Sequence, residues 1–141
     1  MTIKAKGIAN PEVMRIPVAH TPGGPATDTL FICTGNVLCD FGPFDGGGED
    51  DLEFWVPDED GSPLSINPNT LLNSAATVSL AGIVEDNNDQ GAFAVNAVDI
   101  LQSDAGPGQI LVQANLFVTD GLRISRAAYQ VNLVTTPGRM K

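Results

Sequence analysis

The strongest regularity in this chain is the alternation of apolar and polar residues at every second position. Side chains of a β-strand point alternately to the two faces of a sheet, so this alternation predicts strands with one buried face. It is most regular in one segment, whose apolar members are Ile110, Val112, Ala114, Leu116 and Val118. Shorter runs of the same kind are Leu52, Phe54 and Val56, then Val78, Leu80 and Val84, then Phe93, Val95 and Ala97.

The segment from Thr29 to Asp40 contains two apolar runs, one on each side of Thr34-Gly35-Asn36. Glycine and asparagine are common in turns because both tolerate backbone conformations that most residues avoid. We therefore expect this segment to form a hairpin with its turn at Gly35.

The second half of the chain predicts four consecutive antiparallel strands, which form a C-terminal four-strand meander. Loops rich in turn-forming residues separate the strands at residues 85–90, 103–108 and 120–121. The last loop is Asp120-Gly121, a pair that favours the tight type I′ turn of a hairpin. Between Leu122 and Tyr129 the apolar positions change from even to odd numbers, which predicts a β-bulge near Ala127-Ala128.

The composition favours short elements joined by many turns, with 15 glycines and 10 prolines in 141 residues. Asn67-Pro68 resembles a helix cap followed by proline at the first helical position, so we expect one short helix near residues 68–74. A chain of this length is typical of one domain. The fold that we expect is all-β, with a single domain over residues 1–141 built as an antiparallel β-sandwich or jelly roll of about eight strands.

Charge is distributed unevenly along the chain, whose net charge is −10. No lysine or arginine occurs between Ile16 and Leu122, whereas Glu12 is the only acidic residue outside that stretch. We do not expect nucleic acid as a partner, because phosphate binding needs a basic surface. If the first and last strands are neighbours, the basic side chains form one patch, with Lys4, Lys6, Arg15, Arg123, Arg126 and Arg139 as the predicted assembly interface.

The acidic residues between positions 40 and 60 would form a second patch of opposite sign. Opposed patches on one subunit favour head-to-tail contact, which builds rings or filaments. We therefore expect a structural protein whose partners are copies of itself or another structural protein, and a homo-oligomer. Proteins that decorate or build virus particles combine these properties, so the first interpretation is a phage virion component such as a head-decoration or tail accessory protein.

Eight carboxylates lie between Asp45 and Asp60, beside three consecutive glycines. Dense oxygen ligands on a glycine-rich backbone suit Ca²⁺, and the candidate metal ligands are Asp45, Glu49, Asp50, Asp51, Asp58 and Asp60. Trp55, the only tryptophan, is a candidate platform for a sugar ring. The alternative function is a small calcium- or carbohydrate-binding β-sandwich module, whereas a solvated acidic loop explains the same carboxylates without any ligand. We expect no other cofactor.

Residues for nucleophilic catalysis are scarce in this chain. His20 is the only histidine, and the sequence G-x-S-x-G does not occur. Cys33 and Cys39 have apolar neighbours, which is typical of unreactive thiols in a protein core. We therefore expect that the protein is not an enzyme.

Signals for export or membrane insertion are not recognisable. No apolar run of about seven residues follows Lys4 and Lys6, so we expect no cleaved secretory signal. No stretch approaches the roughly 20 apolar residues that a membrane helix needs, and we expect no membrane partner. Synthesis in the cytoplasm with reduced cysteines is expected, followed by incorporation into a virion in the first interpretation.

Overall fold

A computed structural model describes residues 2–19, 21–42, 45–66, 70–85, 93–102, 108–119 and 122–136. The described residues form strands and turns but no helix, which confirms the all-β class. The strands in chain order are β1 (Thr2–Lys4), β2 (Gly7–Val18), β3 (Asp28–Phe41), β4 (Gly48–Trp55), β5 (Leu71–Glu85), β6 (Phe93–Gln102), β7 (Ile110–Val118) and β8 (Leu122–Thr135).

The strands form two four-stranded sheets. Sheet 1 has the order β1-β4-β7-β6, and sheet 2 has the order β2-β3-β8-β5. All hydrogen-bonded neighbours run antiparallel except β1 and β4, which are parallel. Only β2 with β3 and β6 with β7 are neighbours both in sequence and in a sheet, so most connections carry the chain from one sheet to the other.

The predicted C-terminal meander is wrong. Of its four strands, β6 and β7 do pair, but β5 pairs with β8 in sheet 2. The β5–β8 register extends from Leu71 opposite Thr135 to Glu85 opposite Leu122, so these two long strands satisfy their backbone groups with each other. A turn dipeptide such as Asp120-Gly121, which lies outside the described residues, indicates a change of direction and not which strands pair.

The predicted hairpin at Gly35 is also wrong, because Thr29 to Asp40 lies within the single strand β3. Gly35 is the Cα partner of Tyr129, and its backbone lies directly against that ring. A Cβ atom at this position would lie 2.6 Å from Tyr129 Oη. Gly35 is therefore required by a close approach between two strands and not by a turn.

In the described part of the segment near residues 68–74, where a short helix is expected, Thr70 is in a 3₁₀ turn and no helix continues beyond it. Leu71 to Ser74 are the beginning of β5, where Leu71 pairs with Thr135 and Ser74 with Leu133. Pairing with β8 gives the backbone of this segment hydrogen-bond partners that a single helical turn would not supply. Residues 67–69, including the proposed cap, lie outside the described residues.

Both sheets contribute their buried residues to one hydrophobic core. The five apolar residues of β7 that alternation predicts as inward are all 0% exposed, and Leu52, Phe54 and Val56 are also buried, as predicted. The ring of Phe54 in sheet 1 lies 5.0 Å from the ring of Tyr129 in sheet 2. One contiguous core therefore includes side chains of both sheets.

The change of inward phase in β8 is confirmed. Ile124 and Ala127 are both buried, although they are an odd number of residues apart. The register of β8 with β5 shifts between Arg126 and Ile124, slightly before the predicted position. An extra residue at this point moves later odd-numbered side chains to the inner face.

Candidate interaction surfaces

The outward side of sheet 1 carries a set of carboxylates. Leu52 and Phe54 of β4 are buried, so the alternate residues of this strand lie on the opposite side of the sheet. We call this surface the acidic face and define it by Glu49, Asp51 and Glu53 of β4 with their Cα partners on β7, which are Phe117, Asn115 and Gln113.

A hydrogen bond across the two strands holds one carboxylate of the acidic face in place. Asn115 Nδ2 donates to Asp51 Oδ1 at 2.9 Å. The register adds a carboxylate-bearing residue, Asp99 of β6, opposite Gln113, and a single cation-bearing residue, Lys4 of β1, opposite Glu53. The four strands thus bring four acidic positions and one basic position into adjacent rows.

Asp58 and Asp60 lie in a tight turn over residues 57–63, which a bridge between Pro57 and Pro63 closes. Asp60 Oδ1 accepts hydrogen bonds from Ser62 Oγ at 2.6 Å and from the Ser62 backbone N–H at 3.0 Å. These donors favour the ionised carboxylate and lower the pKa of Asp60. The turn is therefore organised by hydrogen bonds from its own donors.

The structure distributes the six predicted calcium ligands over several places. Glu49 and Asp51 lie on the acidic face, whereas Asp50 occupies the alternate side of β4 and Asp45 is exposed before this strand begins. Asp58 and Asp60 belong to the separate 57–63 turn. Within the described ranges, no three His, Cys, Asp or Glu side chains are grouped so that they could hold a metal ion. A calcium site at these residues stays a prediction.

Trp55 ends β4 on the same side of sheet 1 as the acidic face. It is 41% exposed, and its Cα partner on β7 is Leu111. The next row of the sheet contains Glu53 and Gln113. An exposed indole beside a carboxylate and an amide can offer both a stacking surface and hydrogen-bonding groups.

Two of the predicted interface cations form salt bridges within the chain. Lys6 Nζ lies 3.7 Å from Asp40 Oδ2, and an Arg15 terminal guanidinium N–H donates to Asp58 Oδ2 at 3.0 Å. The Arg15 guanidinium also lies over the ring of Phe31, 5.5 Å from its centroid. Both carboxylates belong to the acidic segment, so the two charge classes meet at these points although they are far apart in sequence.

The first and last strands, whose pairing is the condition for one basic patch, are not neighbours in a sheet. β1 is an edge of sheet 1, whereas β8 lies inside sheet 2. Arg126 is exposed on β8, and it forms no salt bridge with any described residue. The Nε atom of half-buried Arg123 is buried without a hydrogen-bond partner. Arg139 lies outside the described residues.

Both cysteines are free and buried, as their apolar neighbours predict. Burial raises the pKa of the Cys33 thiol to about 11, against a smaller lowering effect of Arg15. Burial also raises the pKa of Cys39, whose thiol donates to the Ile124 carbonyl oxygen at 3.7 Å. Both thiols are therefore protonated and unreactive at neutral pH. His20 lies outside the described residues.

Sequence reasoning missed a groove at the β2 edge of sheet 2. It has a volume of about 570 Å³ and is lined by Pro11, Glu12, Val13, Met14, Ile32, Thr34 and Glu59. Asn10 has a positive φ of 54°, and the register of β2 with β3 shifts between Ala9 and Glu12. This shift in register is a β-bulge. The Asn10-Pro11 pair inside an apolar segment is the feature of the sequence that could have predicted it.

Comparisons of the chain with models of protein families, with curated proteins and with solved structures found no match. Across the described ranges, no helix is long and apolar enough to cross a membrane.

Proposed function

We propose that this protein is a non-enzymatic structural protein that associates with copies of itself. The contact joins the acidic surface of residues 40–60 on one copy to basic residues of the end segments on the next. In this proposal the assembly is part of a virus particle, and the chain is a phage head-decoration or tail accessory protein. The virion assignment depends on the analogy of an all-β chain with an asymmetric charge distribution and few catalytic residues.

The proposed arrangement of the two sheets is a face-to-face β-sandwich or jelly roll of about eight strands. The shared core and the contact between Phe54 and Tyr129 support this arrangement. With their inner faces together, the sheets present their outer faces in opposite directions. The acidic face of sheet 1 and Arg126 of sheet 2 then lie on opposite sides of one subunit.

The observation that carries the proposal is this separation of charge between the sheets. The acidic face contains three carboxylates on β4, and Lys4 is the only basic residue in register with them. Arg126 has no carboxylate partner among the described residues. A surface that is complementary to a different surface of the same subunit makes a head-to-tail contact, which continues from copy to copy.

The two salt bridges within the chain change how much each predicted interface cation is expected to contribute to the contact between copies. Lys6 and Arg15 already have carboxylate partners, so a second copy gains less from contacting them. Exposed pairs of this kind typically contribute less than about 1 kcal/mol. We therefore assign the larger share of the contact to Arg123, Arg126 and Arg139.

Light scattering over a series of protein concentrations tests the proposal. The mean mass should rise well above the 14.7 kDa of one chain at low ionic strength and fall when salt is added, because salt screens charge pairs at a surface. A mass of one chain at every concentration and ionic strength would contradict self-association.

A second candidate function is a calcium- or carbohydrate-binding module, which the exposure of Trp55 beside Glu53 and Gln113 favours. Because Trp55 is the only tryptophan, its fluorescence reports directly on a sugar bound at this place. A saturable change with an oligosaccharide, together with loss of calorimetric binding in Trp55→Ala, would support carbohydrate binding. Calcium binding should give calorimetric heat and a higher melting temperature, since a ligand that binds only the folded state stabilises it.

A further inference from the structure

The groove at the β2 edge is lined by apolar side chains and by two carboxylates. Val13, Met14 and Ile32 line it together with Glu12 and Glu59. Met14 is 58% exposed, the highest exposure of any large apolar side chain in the described part of the molecule. Neither Glu12 nor Glu59 forms a salt bridge with a described residue. These features fit a partner segment that carries both cations and an apolar side chain.

The chain itself contains a segment of this chemistry immediately after β8. Residues 137–141 read Pro-Gly-Arg-Met-Lys, which places Met140 between the cations Arg139 and Lys141. In an extended bound segment, residues two positions apart lie on the same side and the residue between them lies on the other. Arg139 and Lys141 can then face carboxylates while Met140 contacts an apolar wall. Methionine adapts well to irregular apolar surfaces of this kind.

We infer that the groove binds the 137–141 segment of a second copy of this chain. The inference rests on the proposed self-association and specifies one of its contacts. Glu59 belongs to the acidic segment and Arg139 to the predicted basic interface, so the contact joins the two charge classes of the proposal. The apolar pair Met14 and Met140 adds a component that salt does not screen.

The direction of β8 favours a second copy over the segment of the same chain. Gln130 is the Cα partner of Thr34 in the groove, but β8 then runs away from it and pairs Thr135 with Thr29. Thr29 and Thr34 are about 17 Å apart along β3. Arg139 follows Thr136 by three residues, a reach of about 10 Å, and it would first have to reverse direction. A neighbouring copy can approach the groove without this restriction.

Cysteine cross-linking between two differently tagged copies tests the inference. One copy carries Met14→Cys and the other carries Met140→Cys, and the matched control replaces Met14→Cys with Thr77→Cys. Thr77 is also exposed on sheet 2, but on β5 at the far edge from the groove. The native Cys33 and Cys39 should not compete, since both are buried and burial raises the pKa of each thiol. Under a mild oxidant we expect at least about fivefold more mixed dimer than in the control.

Charge exchange provides a second measurement on the native cysteine background. Glu59→Lys should weaken self-association about tenfold, and adding Arg139→Glu to the same chain should restore it, because the charge pair is reversed and not lost. Glu53→Lys, on the acidic face, is the matched control that Arg139→Glu should not rescue.

The outcomes separate this inference from the proposed function. If wild-type protein associates but Met14→Cys gives no more mixed dimer than Thr77→Cys, the groove contact is wrong and self-association stands. If Met14→Cys and Met140→Cys in one chain give only a disulfide within that chain, the occupant is the chain's own segment, and the inference is overturned. If the wild-type protein is monomeric under all conditions, both the inference and the proposed function fail.

Discussion

The two sheets resemble each other on their inner sides and differ on their outer sides. Most of the described inner residues of both sheets are apolar and buried, from Leu116 on β7 to Leu133 on β8. Among the described outer residues, sheet 1 has the carboxylates of the acidic face, whereas sheet 2 has Arg126 beside uncharged residues such as Gln130 and Thr77. Burial constrains the inner faces, so the outer faces are the part of the molecule where charge can specify partners.

The largest expected effect concerns the shared inner side. Leu116→Ala removes a fully buried side chain from a central strand of sheet 1, and it should lower the free energy of unfolding by about 2–5 kcal/mol. Gln113→Ala, on the outer side of the same strand, is the matched control and should change it by less than about 0.5 kcal/mol. Urea unfolding measures the change in the free energy of unfolding for each variant. Equal losses would contradict the assignment of inner and outer sides.

A smaller loss of stability is expected from a substitution at Gly35, where strands β3 and β8 lie in close contact. Gly35→Ala would place a Cβ atom 2.6 Å from Tyr129 Oη and 2.8 Å from two ring carbons. Overpacking of this kind should lower the free energy of unfolding by about 1–3 kcal/mol. Gly7→Ala is the matched control in the same sheet, because nothing lies within 4 Å of its added Cβ. If Gly35→Ala were as stable as Gly7→Ala, the backbone of Gly35 would not lie in close contact with the Tyr129 ring.

Removing a buried hydroxyl should have an effect of the opposite sign. Tyr129 is 4% exposed, and its Oη is buried without a hydrogen-bond partner. An unsatisfied buried polar group destabilises the fold, so Tyr129→Phe should raise the free energy of unfolding by about 1 kcal/mol. Chemical denaturation of the two proteins side by side measures the difference. A loss of stability would instead show that the hydroxyl makes a favourable contact.

The smallest expected effect concerns the exposed ion pair between Arg15 of β2 and Asp58 of the 57–63 turn. Arg15→Ala removes the contacts with Asp58 and Phe31, and it should lower the free energy of unfolding by about 0.5–1 kcal/mol. The Asp58 part of this loss should shrink in high salt, because screening already weakens that pair. Urea titrations at two salt concentrations measure it. A loss that is larger in high salt would contradict an electrostatic origin.

Local periodicity was enough to predict which side chains of β4 and β7 point inward, because a strand and its pleat are properties of adjacent residues. The side chains of the predicted inward residues Leu80, Val84, Phe93, Val95 and Ala97 lie outside the described part of the molecule. The inward positions of β7 and the phase change in β8 follow from this alternation alone. Strand pairing was not predictable in the same way. The pairing of β5 with β8 joins residues up to 64 positions apart, from Leu71 to Thr135, and no local pattern encodes such a choice.

The candidate surfaces were predicted only in part, for a related reason. Separation of charge along the sequence does not determine separation in space, as the Arg15–Asp58 and Lys6–Asp40 pairs show. The prediction of a turn at Gly35 is wrong because glycine is common both in turns and at places where two strands approach closely. The groove was missed because Glu59 reaches it from a different part of the chain than Glu12 and Met14.

Sedimentation velocity of Arg126→Glu is the most direct test of the idea that the outer faces specify assembly. Arg126 is exposed, so its reversal should leave the fold intact, and Gln130→Glu on the same side of β8 is the matched control. We expect oligomers larger than a dimer for wild type and Gln130→Glu at low salt, and a monomer for Arg126→Glu. Unchanged oligomers in Arg126→Glu, or a monomeric wild type, would contradict it.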